Sequence, residues 1–205
     1  MNNIIEAAKA FGRVEVNAFG VHYIQLYSAQ EVDFAITACA QQTAARINKA
    51  LDTRVMVVAV LQGALVTVEA FTEALKKALD LSEIQIGFII AKSYGDSVES
   101  GQPQKPVQIQ GIETLTYTHT HVVIYDDVFD TGNTLMSVAS NKYIVNNASS
   151  VTTCALVYKP RGIQRPHVYG LTAPCNAWLY GSGMDHQGRG RTQSGIFAVV
   201  NNAFS

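Results

Sequence analysis

The chain has 205 residues, 48% of them hydrophobic, and a formal net charge of −1 from 15 basic and 16 acidic side chains. That composition supports one main domain with a sizeable core, and no apolar run approaches the roughly 18 to 20 residues that a membrane-spanning helix needs. Near-neutral charge without a block of like charges gives no electrostatic footprint for nucleic acid or a membrane surface, so an anionic substrate must be met by local donors.

Residues 1–6, Met-Asn-Asn-Ile-Ile-Glu, lack a basic start, an apolar stretch and a small-residue cleavage site. No export signal is expected there, and a cytoplasmic location is. Ser28-Ala29-Gln30-Glu31 is a capping-box pattern, and Val32, Ile36, Cys39, Thr43 and Ile47 then recur at helical spacing, predicting an amphipathic helix to about Leu51. Val55 to Leu61 is a continuous apolar run of buried-strand type. Gln62-Gly63 is its turn, and Leu65, Val68, Thr72, Leu75 and Leu79 mark the next helix.

Ile84 to Ala91 predicts a second strand, residues 94–111 a loop carrying Gly, Ser, Gln and two prolines, and Val122 to Tyr125 a third strand. A helix over 134–146 and a strand from Val151 to Val157 complete the alternation. After Lys159-Pro160 come short β-type runs, Val168 to Leu171, Ala177 to Tyr180 and Ile196 to Val200, separated by turn residues. Alternating strands and helices predict an α/β fold, a parallel sheet flanked by helices with ligands at the carboxyl ends of the strands. The expected organisation is a single domain, with a core over about 30–160 and a small hood subdomain from the N-terminal segment and about 161–205. Cys39, Cys154 and Cys175 are odd in number and widely spaced, which predicts reduced, buried thiols rather than a disulfide framework.

Residues 121–135, His-Val-Val-Ile-Tyr-Asp-Asp-Val-Phe-Asp-Thr-Gly-Asn-Thr-Leu, carry the most chemistry. Four apolar residues run into three carboxylates and a Thr-Gly-Asn-Thr turn, after which Leu135, Val138 and Ala139 resume at helical spacing. Amides of a helix N-terminus and the Thr131 and Thr134 hydroxyls can cradle a phosphate, and Gly132 permits close backbone approach. Asp126 and Asp127 suit ribose hydroxyls or a hydrated Mg²⁺, which leaves Asp130 for proton chemistry. A P-loop, a dinucleotide fingerprint and a phosphoaspartate phosphatase each require a spacing this segment lacks. Simple capping would explain one acid and one threonine, not three acids beside Thr-Gly-Asn-Thr.

The segment resembles the phosphoribosyl-pyrophosphate signature of type I phosphoribosyltransferases, and within them the hypoxanthine (hypoxanthine-guanine) phosphoribosyltransferase family. Resemblance extends from about Val55 to Arg191 through separate anchors. It implies a type I phosphoribosyltransferase-like fold and a purine-salvage transferase moving 5-phosphoribose from phosphoribosyl pyrophosphate to hypoxanthine, and to guanine, with Mg²⁺ as cofactor. It also implies a homo-oligomer, a dimer or a tetramer.

Residue by residue, the resemblance assigns Asp126 and Asp127 to the ribose and metal, Asp130 to the base's N7 proton, and Asp130, Thr131, Gly132, Asn133 and Thr134 to the 5′-phosphate. Leu61-Gln62-Gly63 matches a pyrophosphate-binding turn, often with a cis Leu-x peptide, although Gln62 stands where a basic residue is usual. Ser93-Tyr94 matches the start of a lid, the loop 94–111. Lys159 matches the donor to the purine 6-oxo group, Trp178 the stacking aromatic with its neighbour Leu179, and Asp185 a residue near a second Mg²⁺ and the purine 2-position. Arg191, six residues beyond Asp185, matches a pyrophosphate contact, with Arg189 as the substitute. Two other readings share the phosphate loop. One is a regulatory sensor that binds phosphoribosyl pyrophosphate without turnover, and the other a transferase for xanthine or a pyrimidine.

Overall fold

The structure is a computed structural model, and it describes residues 15–18, 21–48, 54–93, 107–161, 164–174 and 177–200. The elements in chain order are β1 (Glu15–Ala18), β2 (Val21–Tyr27), α1 (Ala29–Ala44), β3 (Arg54–Leu61), α2 (Val68–Leu79), β4 (Gln85–Ser93) and β5 (Val107–Gln110). They continue with β6 (Thr120–Phe129), α3 (Asn133–Ala139), α4 (Lys142–Val145), β7 (Ser150–Tyr158), β8 (Val168–Thr172), β9 (Leu179–Tyr180) and β10 (Ile196–Val200).

Six strands form the main sheet in the order β5-β4-β3-β6-β7-β8, parallel except for β5, and four form a second sheet in the order β1-β2-β10-β9. The α/β expectation holds. β3 is buried along its length because both faces are covered. Val55, Val57 and Ala59 meet Ile36 and Cys39 of α1 and Phe71 and Leu75 of α2, while Met56, Val58 and Val60 meet Leu135, Val138 and Ile144 of α3 and α4. Full burial of each such aliphatic or aromatic side chain contributes about 1.5 to 3 kcal/mol.

The expected capping box starts α1: Glu31 N donates to Ser28 Oγ at 3.3 Å and Ser28 N to Glu31 Oε2 at 2.7 Å. Val32, Ile36, Cys39, Thr43 and Ile47 are all buried, as their spacing predicts. Cys39 and Cys154 are buried free thiols, whereas Cys175 lies outside the described residues.

Five expectations need correction. α1 ends at Ala44 rather than near Leu51, with the tighter bonds Arg46 N to Thr43 O and Ile47 N to Ala44 O closing it. Leu65 belongs to a 3₁₀ turn, Gly63–Val66, and is exposed, so α2 begins only at Val68. The helix expected over 134–146 is two helices, because Asn141 leaves helical geometry and its side chain caps α4 by accepting from Tyr143 N at 3.1 Å. The C-terminal end of the expected loop 94–111 is β5, an edge strand antiparallel to β4, and residues 94–106 lie outside the described ones. Finally β8, expected in the hood, pairs in parallel with β7 as the other edge of the main sheet. Only β9 and β10 join β1 and β2.

Candidate functional site

The site opens between β3 and β6, where the strand order reverses, the usual ligand crevice of such sheets. β3 stops pairing with β6 at Ala59 opposite Tyr125, while β6 continues against β7 to Val128 opposite Val157 and Phe129 opposite Tyr158. Asp126 and Asp127 therefore sit inside an extended strand, not just beyond it. Asp126 is buried and its Oδ1 accepts from Asp127 N at 2.9 Å. Asp127 Oδ1 accepts from Val128 N, also at 2.9 Å.

Burial pushes the Asp126 carboxyl well above the usual carboxylate range, and the neighbouring Asp127 carboxylate pushes it further. Between the unfolded and folded values the native state therefore holds the extra proton, so the stabilising contribution is complete below the ordinary carboxylate range and is lost as pH rises through the raised folded value. Asp126→Asn should flatten that dependence and stabilise the protein toward neutral pH. Thermal unfolding across pH checks this, and a variant that loses stability toward neutral pH would contradict it.

Gln62 and Gly63 reach the crevice from the other side, after a cis peptide between Leu61 and Gln62, as the resemblance implied. Gly63 lies close against the acid pair: a Cβ there would stand 1.9 Å from Asp127 Oδ2 and push that carboxylate aside. The closing segment, residues 181–191, packs onto the same turn: Gly183, with φ +104°, would place a Cβ 2.0 Å from Gly63 O. Gly183 N donates to Arg191 O at 2.8 Å, and Arg191 Nη1 donates back to Gly183 O at 2.7 Å.

From that anchor Arg191 Nη2 lies 2.6 Å from Asp185 Oδ1 and donates to Gln62 Oε1 at 3.1 Å. Arg191, not Arg189, is thus the arginine at the turn, while the Arg189 backbone closes a tight turn with His186. A basic side chain at position 62 would repel this guanidinium, whereas the Gln62 amide oxygen holds it. Arg191 thus brings a positive charge, paired with Asp185, to the Gln62-Gly63 turn.

At the carboxyl end of β7, Lys159 is buried and its Nζ lies 3.1 Å from Asp130 Oδ2. Arg161, which the sequence reading passed over as a residue after Lys159-Pro160, pairs with Asp130 Oδ1. Asp130 is therefore engaged by two cations, and it directly follows the end of β6. Next to it Gly132, at φ 85°, is the N-cap position of α3 and offers no side-chain cap bond; Asn133 N lies 3.5 Å from Thr131 Oγ1. Thr131 is exposed and Thr134 half-buried, so both hydroxyls can reach a ligand.

Trp178 is 56% exposed, which excludes the core role that a lone tryptophan in a β-type run usually has. Its Nε1 donates to Asp185 O at 3.0 Å, tying it to the closing segment. The Leu179 side chain is buried in the main core, so a ligand could meet this residue only through its main chain. Asp185 Oδ2 accepts from Gly188 N at 2.7 Å. Ser93 is the last residue of β4, and Tyr94 lies outside the described residues.

Among the described residues no three His, Cys, Asp or Glu side chains converge as a metal-binding set. The adjacent carboxyls of Asp126 and Asp127, with Asp185 apart from them, instead fit a hard cation such as Mg²⁺, which keeps waters and takes further oxygen ligands from a bound phosphate. No helix among the described residues is long and apolar enough to cross a membrane.

The sequence model of the phosphoribosyl transferase domain matches residues 22–182. No curated protein sequence matches the chain. Among solved structures, Trypanosoma cruzi hypoxanthine phosphoribosyltransferase in complex with the product IMP is 23% identical, with a TM-score of 0.72 over 88% of this chain and 95% of that one. A structure from work on the C-terminal region, oligomeric state and activity of the same enzyme is 21% identical, with a TM-score of 0.71 over 86% of this chain and 90% of that one. An HPRT asparagine mutant made to analyse an invariant aspartic acid gives 22% and 0.71, over 86% and 92%. At these identities the structural likenesses carry the fold. The sequence match spans the acid pair, the Gln62-Gly63 turn, the Asp130 loop and Lys159, and by it the chain belongs to the phosphoribosyl transferase domain family.

Proposed function

We propose that this phosphoribosyltransferase is a purine-salvage enzyme that transfers 5-phosphoribose from phosphoribosyl pyrophosphate to hypoxanthine, and to guanine, releasing pyrophosphate. The observation that carries this reading is the pairing of the buried Lys159 with Asp130, to which the exposed Trp178 adds an aromatic surface. An ammonium donor next to a carboxylate acceptor matches a 6-oxo group next to a protonated ring nitrogen. A 6-amino group would instead present a donor to the lysine. N9 of the base attacks C1 of the sugar as the bond to pyrophosphate breaks, and Asp130 accepts the N7 proton.

In this reading Asp126 and Asp127 hold the ribose hydroxyls. The α3 N-terminus with Thr131, Gly132, Asn133 and Thr134 holds the 5′-phosphate, and Gln62, Gly63 and Arg191 hold the pyrophosphate. Lys159 and Trp178, with the Leu179 main chain and Asp185, position the purine. Bound at Asp126 and Asp127, and near Asp185, Mg²⁺ would neutralise charge on the leaving pyrophosphate. Ser93 and Tyr94 begin the lid of this proposal, and the assembly is a homo-oligomer, a dimer or tetramer.

Initial rates with hypoxanthine, guanine, xanthine, adenine and uracil test the reading: 6-oxopurines should be turned over and adenine and uracil should not. Binding of phosphoribosyl pyrophosphate without turnover of any base would make the protein a sensor instead. Trp178→Ala should remove about 1 to 3 kcal/mol of base binding, by analogy with base stacking on aromatic side chains, and the loss should appear in the purine KM. An equal loss for phosphoribosyl pyrophosphate would mean that the tryptophan acts only through its bond to Asp185.

A further inference from the structure

We propose that Tyr125 is a positioning residue that clips the acidic strand to the pyrophosphate turn through Thr67, and so sets the width of the phosphoribosyl-pyrophosphate site. Tyr125 immediately precedes Asp126, is fully buried, and points to the α1 and α2 face of the sheet. There its ring stacks on Phe71 with centroids 4.4 Å apart, and its hydroxyl donates to Thr67 Oγ1 at 3.0 Å.

Thr67 is buried and follows the Gln62-Gly63 turn by only four residues. The chain leaves Gln62 and Gly63 into the 3₁₀ turn Gly63–Val66, Thr67 N donates to Ala64 O at 3.2 Å, and Phe71 N to Thr67 O at 3.0 Å. Thr67 occupies the N-cap position of α2, where a threonine hydroxyl ordinarily accepts from the helix's own amides. Here it makes no side-chain cap bond and serves Tyr125 instead. One buried hydrogen bond thus joins the segment that carries Asp126 and Asp127 to the segment that carries Gln62 and Gly63, across the gap where β3 and β6 cease to pair. The two segments already touch at Gly63 against Asp127, so a small relative shift would change both sides of the ligand site together. Tyr125 and Thr67 touch no substrate in this scheme. Their effect passes through the spacing of the groups that do.

The inference rests on the proposed phosphoribosyl-pyrophosphate site, and three variants separate positioning from plain stability. Tyr125→Phe keeps the ring stack and removes the donor. Thr67→Val keeps the shape but leaves a buried tyrosine hydroxyl without its acceptor, so it should be the least stable. The double variant replaces both partners with apolar groups of similar shape, which is close to neutral for stability. Calorimetric titration with phosphoribosyl pyrophosphate and Mg²⁺, alongside thermal unfolding, should give a Kd raised roughly 3- to 10-fold in all three, the range expected for one hydrogen bond. The double variant should show no larger rise than either single one, although its unfolding temperature recovers. If Kd follows unfolding temperature and returns to wild type in the double variant, the pair is only a core contact and the clip is wrong. If wild type does not bind phosphoribosyl pyrophosphate at all, the substrate reading fails first and the clip with it.

Discussion

Asp130→Asn should lower turnover with hypoxanthine roughly 10²- to 10⁴-fold, the range over which a general acid–base group contributes. Asn keeps the shape of the side chain and an oxygen for Lys159 Nζ but cannot take the N7 proton. The ion pairs sharpen the expectation. Lys159 is buried and Asp130 is its carboxylate partner, while Arg161 holds the other carboxylate oxygen. In the proposed reading a bound purine takes over part of the Lys159 contact with Asp130 through its 6-oxo group, which puts the donor at O6 and the acceptor at N7 along one edge of the base. The variant weakens the pull of Asp130 on Lys159 and so should leave hypoxanthine affinity within a small factor of wild type while kcat falls. Steady-state kinetics with a calorimetric hypoxanthine titration separate the two. Wild-type kcat in Asp130→Asn would remove the base assignment and leave residues 130–134 as a phosphate site alone.

The parts of the molecule that were legible from sequence are those where one local rule acts without competition. Val55 to Leu61 could be read as a buried strand because both its faces are covered, and α1 because a capping box and a repeating apolar stripe coincide. The miss at 134–146 has the opposite cause. Leu135, Val138 and Ala139 open at helical spacing and no Gly or Pro follows up to Asn146, so the local pattern joins two helices that Asn141 separates by capping the second. β6 is longer at both ends than its apolar core, because pairing with β7 carries Asp126 and Asp127 into the strand despite the low strand preference of aspartate. β8 could not be placed from its own five residues, since which sheet a short strand joins depends on partners far away in the chain. In the site, the acid pair, the turn, Lys159 and Arg191 could be named from motif spacing. Arg161 and the Tyr125–Thr67 bond could not, because they exist only once separate strand ends are brought side by side.

The contact between the closing segment and the Gln62-Gly63 turn is set by backbone, which should make Gly183→Ala a damaging substitution. At φ +104° an alanine is strained in itself, and its Cβ would stand 2.0 Å from Gly63 O, a main-chain atom that cannot rotate away. The segment must lift, and Arg191, held to Gly183 by 2.8 Å and 2.7 Å bonds, moves with it away from Gln62. Overpacking of this kind costs about 1 to 3 kcal/mol, which should appear as a roughly 5- to 150-fold loss of affinity for phosphoribosyl pyrophosphate. Gly188→Ala provides the comparison. It shares a left-handed backbone, φ 75°, but its Cβ would meet nothing within 4 Å, so it should cost stability through backbone strain alone and leave pyrophosphate handling nearly intact. If the two variants bind phosphoribosyl pyrophosphate equally well, the approach of residue 183 to Gly63 plays no part in forming the site. Arg191 would then reach pyrophosphate by a movement independent of the turn.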